Sequence, residues 1–105
     1  MKFLITENKL EQIVFKYLDN QDFVKIERGD KIYFLNHEGD KFAQIRYDKD
    51  DGTCYIDYDL NQEISSFFSL ENFKARILIG QWVENTLQMK VSNTTRPWIN
   101  FGPHF

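Results

Sequence analysis

Six carboxylates crowd one sixteen-residue stretch: Asp48, Asp50, Asp51, Asp57, Asp59 and Glu63, against the single base Lys49, a local charge of −5. Carboxylate oxygens are hard ligands suited to Mg²⁺ or Mn²⁺. Asp57 and Asp59 stand two apart, which on a strand places both on one face. Glu63 follows one helical turn later. Three carboxylates converging there would hold a divalent cation and steady a phosphate ester for attack. The spacing is not that of a calcium loop, which sets oxygen ligands at alternate positions around a fixed glycine. Nor is it a nuclease signature. The competing reading needs no ligand: acids along a strand keep a sheet edge solvated and discourage pairing with another chain. We take that second reading. A divalent-metal-dependent enzyme acting on phosphate esters through Asp57, Asp59 and Glu63 stays as the alternative.

The other groups with chemical potential are scattered. His37 sits beside Glu38 in a polar turn and His104 lies near the end of the chain, neither next to a Ser or Cys it could activate. Cys54 alternates with Tyr55 in an apolar run, the pattern of a small buried hydrophobe rather than a nucleophile. Arg28-Gly29-Asp30 spells a tripeptide that integrins read, but a glycine between polar residues is first of all a tight turn. Asn93-Thr94-Thr95 has the form of a glycosylation acceptor. It and the tripeptide matter only in a secreted chain, and the opening MKFLITENKLEQ turns polar after five residues, unlike a signal peptide. The five glycines form no phosphate loop or dinucleotide fingerprint. Tyr33, Tyr47, Tyr55 and Tyr58 could stack bases on a sheet. Such a platform wants flanking cations, and the neighbours here are mostly Asp, so a core role is expected.

Length and charge narrow the choice further. A chain of 105 residues is expected to form one domain. Its formal net charge is −3, and no stripe of Lys and Arg exists to neutralise phosphates. Nucleic acid is therefore not an expected partner, and no cofactor is expected. No apolar run approaches the roughly 20 residues needed to cross a bilayer. The single cysteine suits a reducing compartment. These features together predict a soluble protein of the cytoplasm.

Periodicity supplies the scaffold. Thr6 can cap a helix in which Leu10, Ile13, Val14, Tyr17 and Leu18 form one apolar stripe, ending in the polar run 19–22. Phe15 falls off that stripe. From 23 to 59 the period changes to two, with four strands at roughly ten-residue spacing separated by turns at 28–30, 37–40 and 48–52. Ile32-Tyr33-Phe34-Leu35 is continuously apolar, as in a strand covered on both faces or centrally placed. A short helix follows over 60–68. A second begins after Ser69, with Ala75, Leu78, Ile79, Trp82 and Val83 on one stripe and Leu70, Phe73 and Ile77 on another, the pattern of a buried central helix. Gly80 inside it costs about 1 kcal/mol against alanine, which predicts a close backbone approach. Leu87, Met89 and Val91 alternate as a last short strand. The expected fold is α+β: an N-terminal helix, a four-stranded antiparallel meander, two C-terminal helices packed on one sheet face, and a short last strand. The domain spans 1–92 and an extended aromatic tail spans 93–105.

The opening MKFLITENKLEQIVFKYLDN resembles the first residues of many small uncharacterised proteins of tailed bacteriophages, notably marine ones. Those share a short apolar lead, Ile-Thr-Glu, and an amphipathic helix ending in Tyr-Leu. The resemblance covers the first fifth of the chain. It implies a viral origin, and so a place in the cytoplasm of an infected host or in the virion. It carries over no functional residue.

The tail, RPWINFGPHF, holds both prolines and the rings of Trp98, Phe101 and Phe105. Pro97 and Pro103 exclude helix, and the rings are too apolar for a freely solvated end. They either fold back over a sheet face or groove of their own domain or dock on another chain. We take the second: Trp98, Phe101 and Phe105, with Arg96, as anchors for another protein or a copy of this one. The expected function is a non-enzymatic protein-interaction module, in the phage setting an accessory, virion-assembly or host-inhibitor protein.

Overall fold

The computed structural model describes residues 7–39 and 42–95. The element order is α1 (Glu7–Asp19), β1 (Val24–Arg28), β2 (Lys31–Leu35), β3 (Ile45–Asp48), β4 (Thr53–Ile56), α2 (Tyr58–Phe67), α3 (Asn72–Leu87) and β5 (Asn93–Thr95). The strands form one mixed sheet in the order β1-β2-β3-β4-β5, an α+β fold. The first four pair as an antiparallel meander, and β5 lies parallel to β4.

Local chemistry explains the meander. Arg28 pairs with Lys31, leaving Gly29 and Asp30 as a two-residue turn. Gly29 supplies φ 60°, the left-handed first position that tight hairpins favour. Between β3 and β4 the turn closes with Gly52 N–H donating to the Asp48 carbonyl at 2.9 Å and Asp51 Oδ1 accepting from Thr53 N–H at 2.9 Å. A parallel neighbour for β4 requires a crossover, and α2 with α3 provides it.

Three helices share one sheet face. Ile32, Phe34, Ile45, Tyr47, Cys54 and Ile56 point toward them and meet Val14 and Leu18 of α1, Leu60 and Ile64 of α2, and Ala75, Leu78, Ile79, Trp82 and Val83 of α3. Phe23 and Phe34 flank the Trp82 ring at 5.7 and 5.4 Å. The indole N–H donates to Asp19 Oδ1 at 2.9 Å, tying the end of α1 to α3. The opposite face carries Val24, Ile26, Tyr33, Leu35, Ala43 and Tyr55, a second cluster with no helical member among the described residues.

Three expectations change in detail. In α1 the buried face centres on Val14 and Leu18. Phe15 therefore packs at its margin while Ile13 turns to solvent. The last strand is Asn93–Thr95, inside the region read as tail, not the alternation at 87–91. Leu87 is the end of α3, and Gln88 terminates that helix in the left-handed conformation. The α3 helix is not buried on two sides, because Phe73 and Ile77 are exposed. Thr6, the expected N-cap of α1, lies outside the described residues.

Candidate functional site

The acids expected to converge are set apart by the way α2 begins. β4 ends at Ile56, so Asp57 and Asp59 do not share a strand face. Asp57 is instead the N-cap of α2, its Oδ2 accepting from Asp59 N–H at 3.0 Å. Burial pushes its carboxyl above the usual carboxylate range, against the lowering effect of the N–H groups at the helix start. Asp59 lies in the first turn of that helix, where the dipole favours an anion. Glu63 accepts a 2.5 Å hydrogen bond from the Tyr17 hydroxyl, and this bond raises the phenol to about 12. Each of the three has a helix-building or helix-joining task, and they form no ligand set among the described residues.

The carboxylates that do meet are Asp48, Asp50 and Asp51, one oxygen of each lying within 4.8 Å of the others. They come from the same acidic stretch, folded over by the β3–β4 turn. Bases of the sheet already engage Asp48: Arg46 Nε is 3.0 Å away and Lys31 Nζ 3.9 Å. The Asp48 charge in turn raises the Lys31 ammonium above its ordinary value. The Thr53 N–H holds the Asp51 carboxyl below its ordinary value. Lys49 pairs across to Glu27. This is the pattern of a hairpin whose acids are balanced by neighbouring strands.

Cys54 is buried, and burial pushes its thiol up to about 12. It is protonated at neutral pH and unsuited to nucleophilic attack. His37 is exposed in the β2–β3 loop, and His104 lies outside the described residues. The tyrosines do not form a base-stacking row. Tyr47 faces the helices and donates to the Lys90 carbonyl at 2.6 Å, whereas Tyr33 and Tyr55 lie on the other face, Tyr55 beneath Arg46 at 4.2 Å. Tyr58 stands apart at the start of α2.

The surface that sequence reasoning missed is the outward stripe of α3. Phe73 and Ile77 are 51% and 42% exposed, one helical turn apart. The same stripe continues through Gln81, Glu84 and Gln88, all exposed. That polar continuation was the available signal that Phe73 and Ile77 face solvent. From Ile77 a groove of about 380 Å³ runs between α3 and β5, with Gly80, Val91 and Thr94 among its walls. The expected anchors Arg96, Trp98, Phe101 and Phe105 lie outside the described residues. Among those described, no helix is long and apolar enough to cross a membrane. Comparison of the chain with protein-family models, with curated proteins and with solved structures finds no match.

Proposed function

We propose that the protein is a non-enzymatic interaction module that binds another protein chain through the outward stripe of α3. One observation carries this reading: Phe73 and Ile77 stand side by side in the open on a helix whose inner face is core. Single exposed apolar residues are ordinary. A pair at i and i+4, continuous with a groove, is the arrangement by which a helix face and a partner surface anchor each other. Lys74 and Arg76 flank the stripe, which favours a partner surface with an acidic rim. Arg96, Trp98, Phe101 and Phe105 are a second set of candidate anchors, but the proposal stands on α3. Taken with the resemblance of the first twenty residues, this reading makes the protein a phage accessory, virion-assembly or host-inhibitor protein, acting in the infected cell or in the virion.

The test places a photoreactive phenylalanine analogue at position 73 of the full chain. One discrete cross-linked adduct, with a second copy or with another protein, is expected, and Ile77→Asp should abolish it. Diffuse labelling, or an adduct indifferent to Ile77→Asp, would overturn the proposal.

A further inference from the structure

The outward surface of α3 carries a knob and a hole on one patch. The knob is Phe73, 51% exposed. The hole is the groove of about 380 Å³ walled by Ile77, Gly80, Gln81, Glu84 and Thr94. Phe73 precedes Gly80 and Glu84 by seven and eleven residues, about two and three helical turns, so knob and hole share one flank of the helix. Ile77 stands midway between Phe73 and Gln81. A patch that holds both halves of a contact, one on each side of a midpoint, is what a two-fold interface requires.

Charge divides about the same midpoint. Lys74 and Arg76 lie on the N-terminal side of Ile77 and outnumber Glu71 at the N-cap. On the C-terminal side Glu84 joins Glu11 of α1 around a hollow of about 710 Å³, where the two outnumber Lys90. This order runs against the dipole of α3 itself, which favours acids at the N-terminus and bases at the C-terminus. The first turn of α3 holds no acid and its last turn no base. An antiparallel partner with the same surface reverses the order and sets base over acid.

We propose that the occupant of the α3 stripe is a second copy of this chain, the two α3 helices packing antiparallel about a two-fold axis at Ile77. Phe73 of each copy enters the groove of the other, beside Gly80 and Thr94. A two-fold axis lying across the helices brings like flanks together. Lys74 precedes Gln81 and Asn85 by seven and eleven residues, so it shares the flank of the acidic hollow they line and meets that hollow, with Glu11, on the other copy. This dimer rests on the α3 contact proposed above and names its partner. Two phenylalanines and two isoleucines make a small core, at the low end of the specific range of about 1,200–2,000 Å². Association is therefore expected at micromolar concentrations and above.

Sedimentation velocity on the full chain, from micromolar concentrations to about 1 mM, reads the equilibrium. The wild type is expected to double its mass along that series, and Ile77→Asp to stay monomeric. Lys74→Glu and Glu11→Lys change partly exposed positions and leave the bond from Val91 N–H to Glu84 intact. Each should associate about tenfold more weakly, because the axis counts every reversed charge twice. An equimolar mixture of the two should regain the wild-type mass, since acid then meets base at both contacts. Ile77→Cys should form an inter-chain disulfide with itself on mild oxidation, the buried Cys54 staying reduced. Circular dichroism checks that each variant is folded. A wild type that stays monomeric throughout the series overturns the dimer. So does a mixture no heavier than its components, or Ile77→Cys that remains monomeric under oxidation. A discrete adduct from position 73 to a different protein, with a monomeric wild type, overturns the dimer and leaves the α3 contact standing. Diffuse labelling removes both.

Discussion

Adding one methyl group at Gly80 tests how α3 seats the edge strand. A Cβ at that position would lie 2.1 Å from Thr94 Cγ2, 3.5 Å from Thr94 Cβ and 3.7 Å from Val91 Cγ1. Carbon atoms in contact prefer about 3.5–4.0 Å, so the first distance is too short by roughly 1.5 Å. The Thr94 methyl cannot swing away freely, because a β-branched side chain is stiff at χ1. Gly80→Ala gains about 1 kcal/mol of helix propensity and meets an overpacking cost of roughly 1–3 kcal/mol. The clash should win, with a net loss of about 1 kcal/mol. In the Thr94→Ser background the methyl is gone, and the same change should stabilise by about 1 kcal/mol. The coupling between the two sites is then about 2 kcal/mol, well above the scatter of independent mutations. Urea unfolding of the four proteins, followed by tryptophan fluorescence at constant m, measures it. If Gly80→Ala stabilises equally in both backgrounds, the close approach of α3 to β5 is not what Gly80 serves.

Three further expectations concern the helix ends and the core. Asp57→Asn keeps the acceptor for the Asp59 N–H. The raised carboxyl of Asp57 means that its protonated form favours the fold, with that stabilisation complete below the ordinary value of 3.8 and lost as pH rises through the folded value. The Asn variant should therefore be the more stable at pH 7, with the gap closing in acid, whereas Asp57→Ala should lose about 1 kcal/mol of capping; chemical unfolding at pH 7 and at pH 3 decides both. Gln88 holds φ 57° at the end of α3, so Gln88→Gly should raise stability by roughly 1 kcal/mol, read as a shift in the urea midpoint. Native Cys54 should resist a thiol reagent at pH 8 and react only at the rate of global opening; prompt labelling would contradict its burial.

The periodic parts of the fold were legible because the residues that make them also advertise them. The α1 stripe and the strands around Gly29 and Gly52 combine an apolar period with a glycine that the turn requires. The start of α2 was not legible in the same way. Cys54, Ile56 and Tyr58 continue the alternation of β4, and nothing in that pattern shows that the Asp57 side chain will turn back onto the Asp59 N–H and begin a helix. That single capping decision took Asp57 and Asp59 off one strand face and left them, with Glu63 farther along the helix, to separate tasks. The three acids that do come together were brought there by the turn at 49–52. β5 was hidden for a different reason. Asn93-Thr94-Thr95 carries no apolar alternation, and its identity as a strand comes from β4 beside it and α3 over it. Leu87, Met89 and Val91 carry the alternation and are the end of a helix and the loop beyond it.

The run Ile32-Tyr33-Phe34-Leu35 makes a demand that the helices satisfy only in part. All four residues are buried, yet Ile32 and Phe34 face the helices while Tyr33 and Leu35 face away from them. Its neighbour β1 is different, with exposed Lys25, Glu27 and Arg28 as expected of an outer strand. A central strand apolar on both faces requires two covering layers, because leaving a tyrosine and a leucine in water forfeits about 25 cal/mol for each Å² of apolar surface left exposed. The second layer needs large apolar side chains outside the first core and a point of entry on the helix-free face. Among the described residues, Val24 and Ile26 of β1 and Tyr55 of β4 pack against that second cluster and take part of its surface out of water.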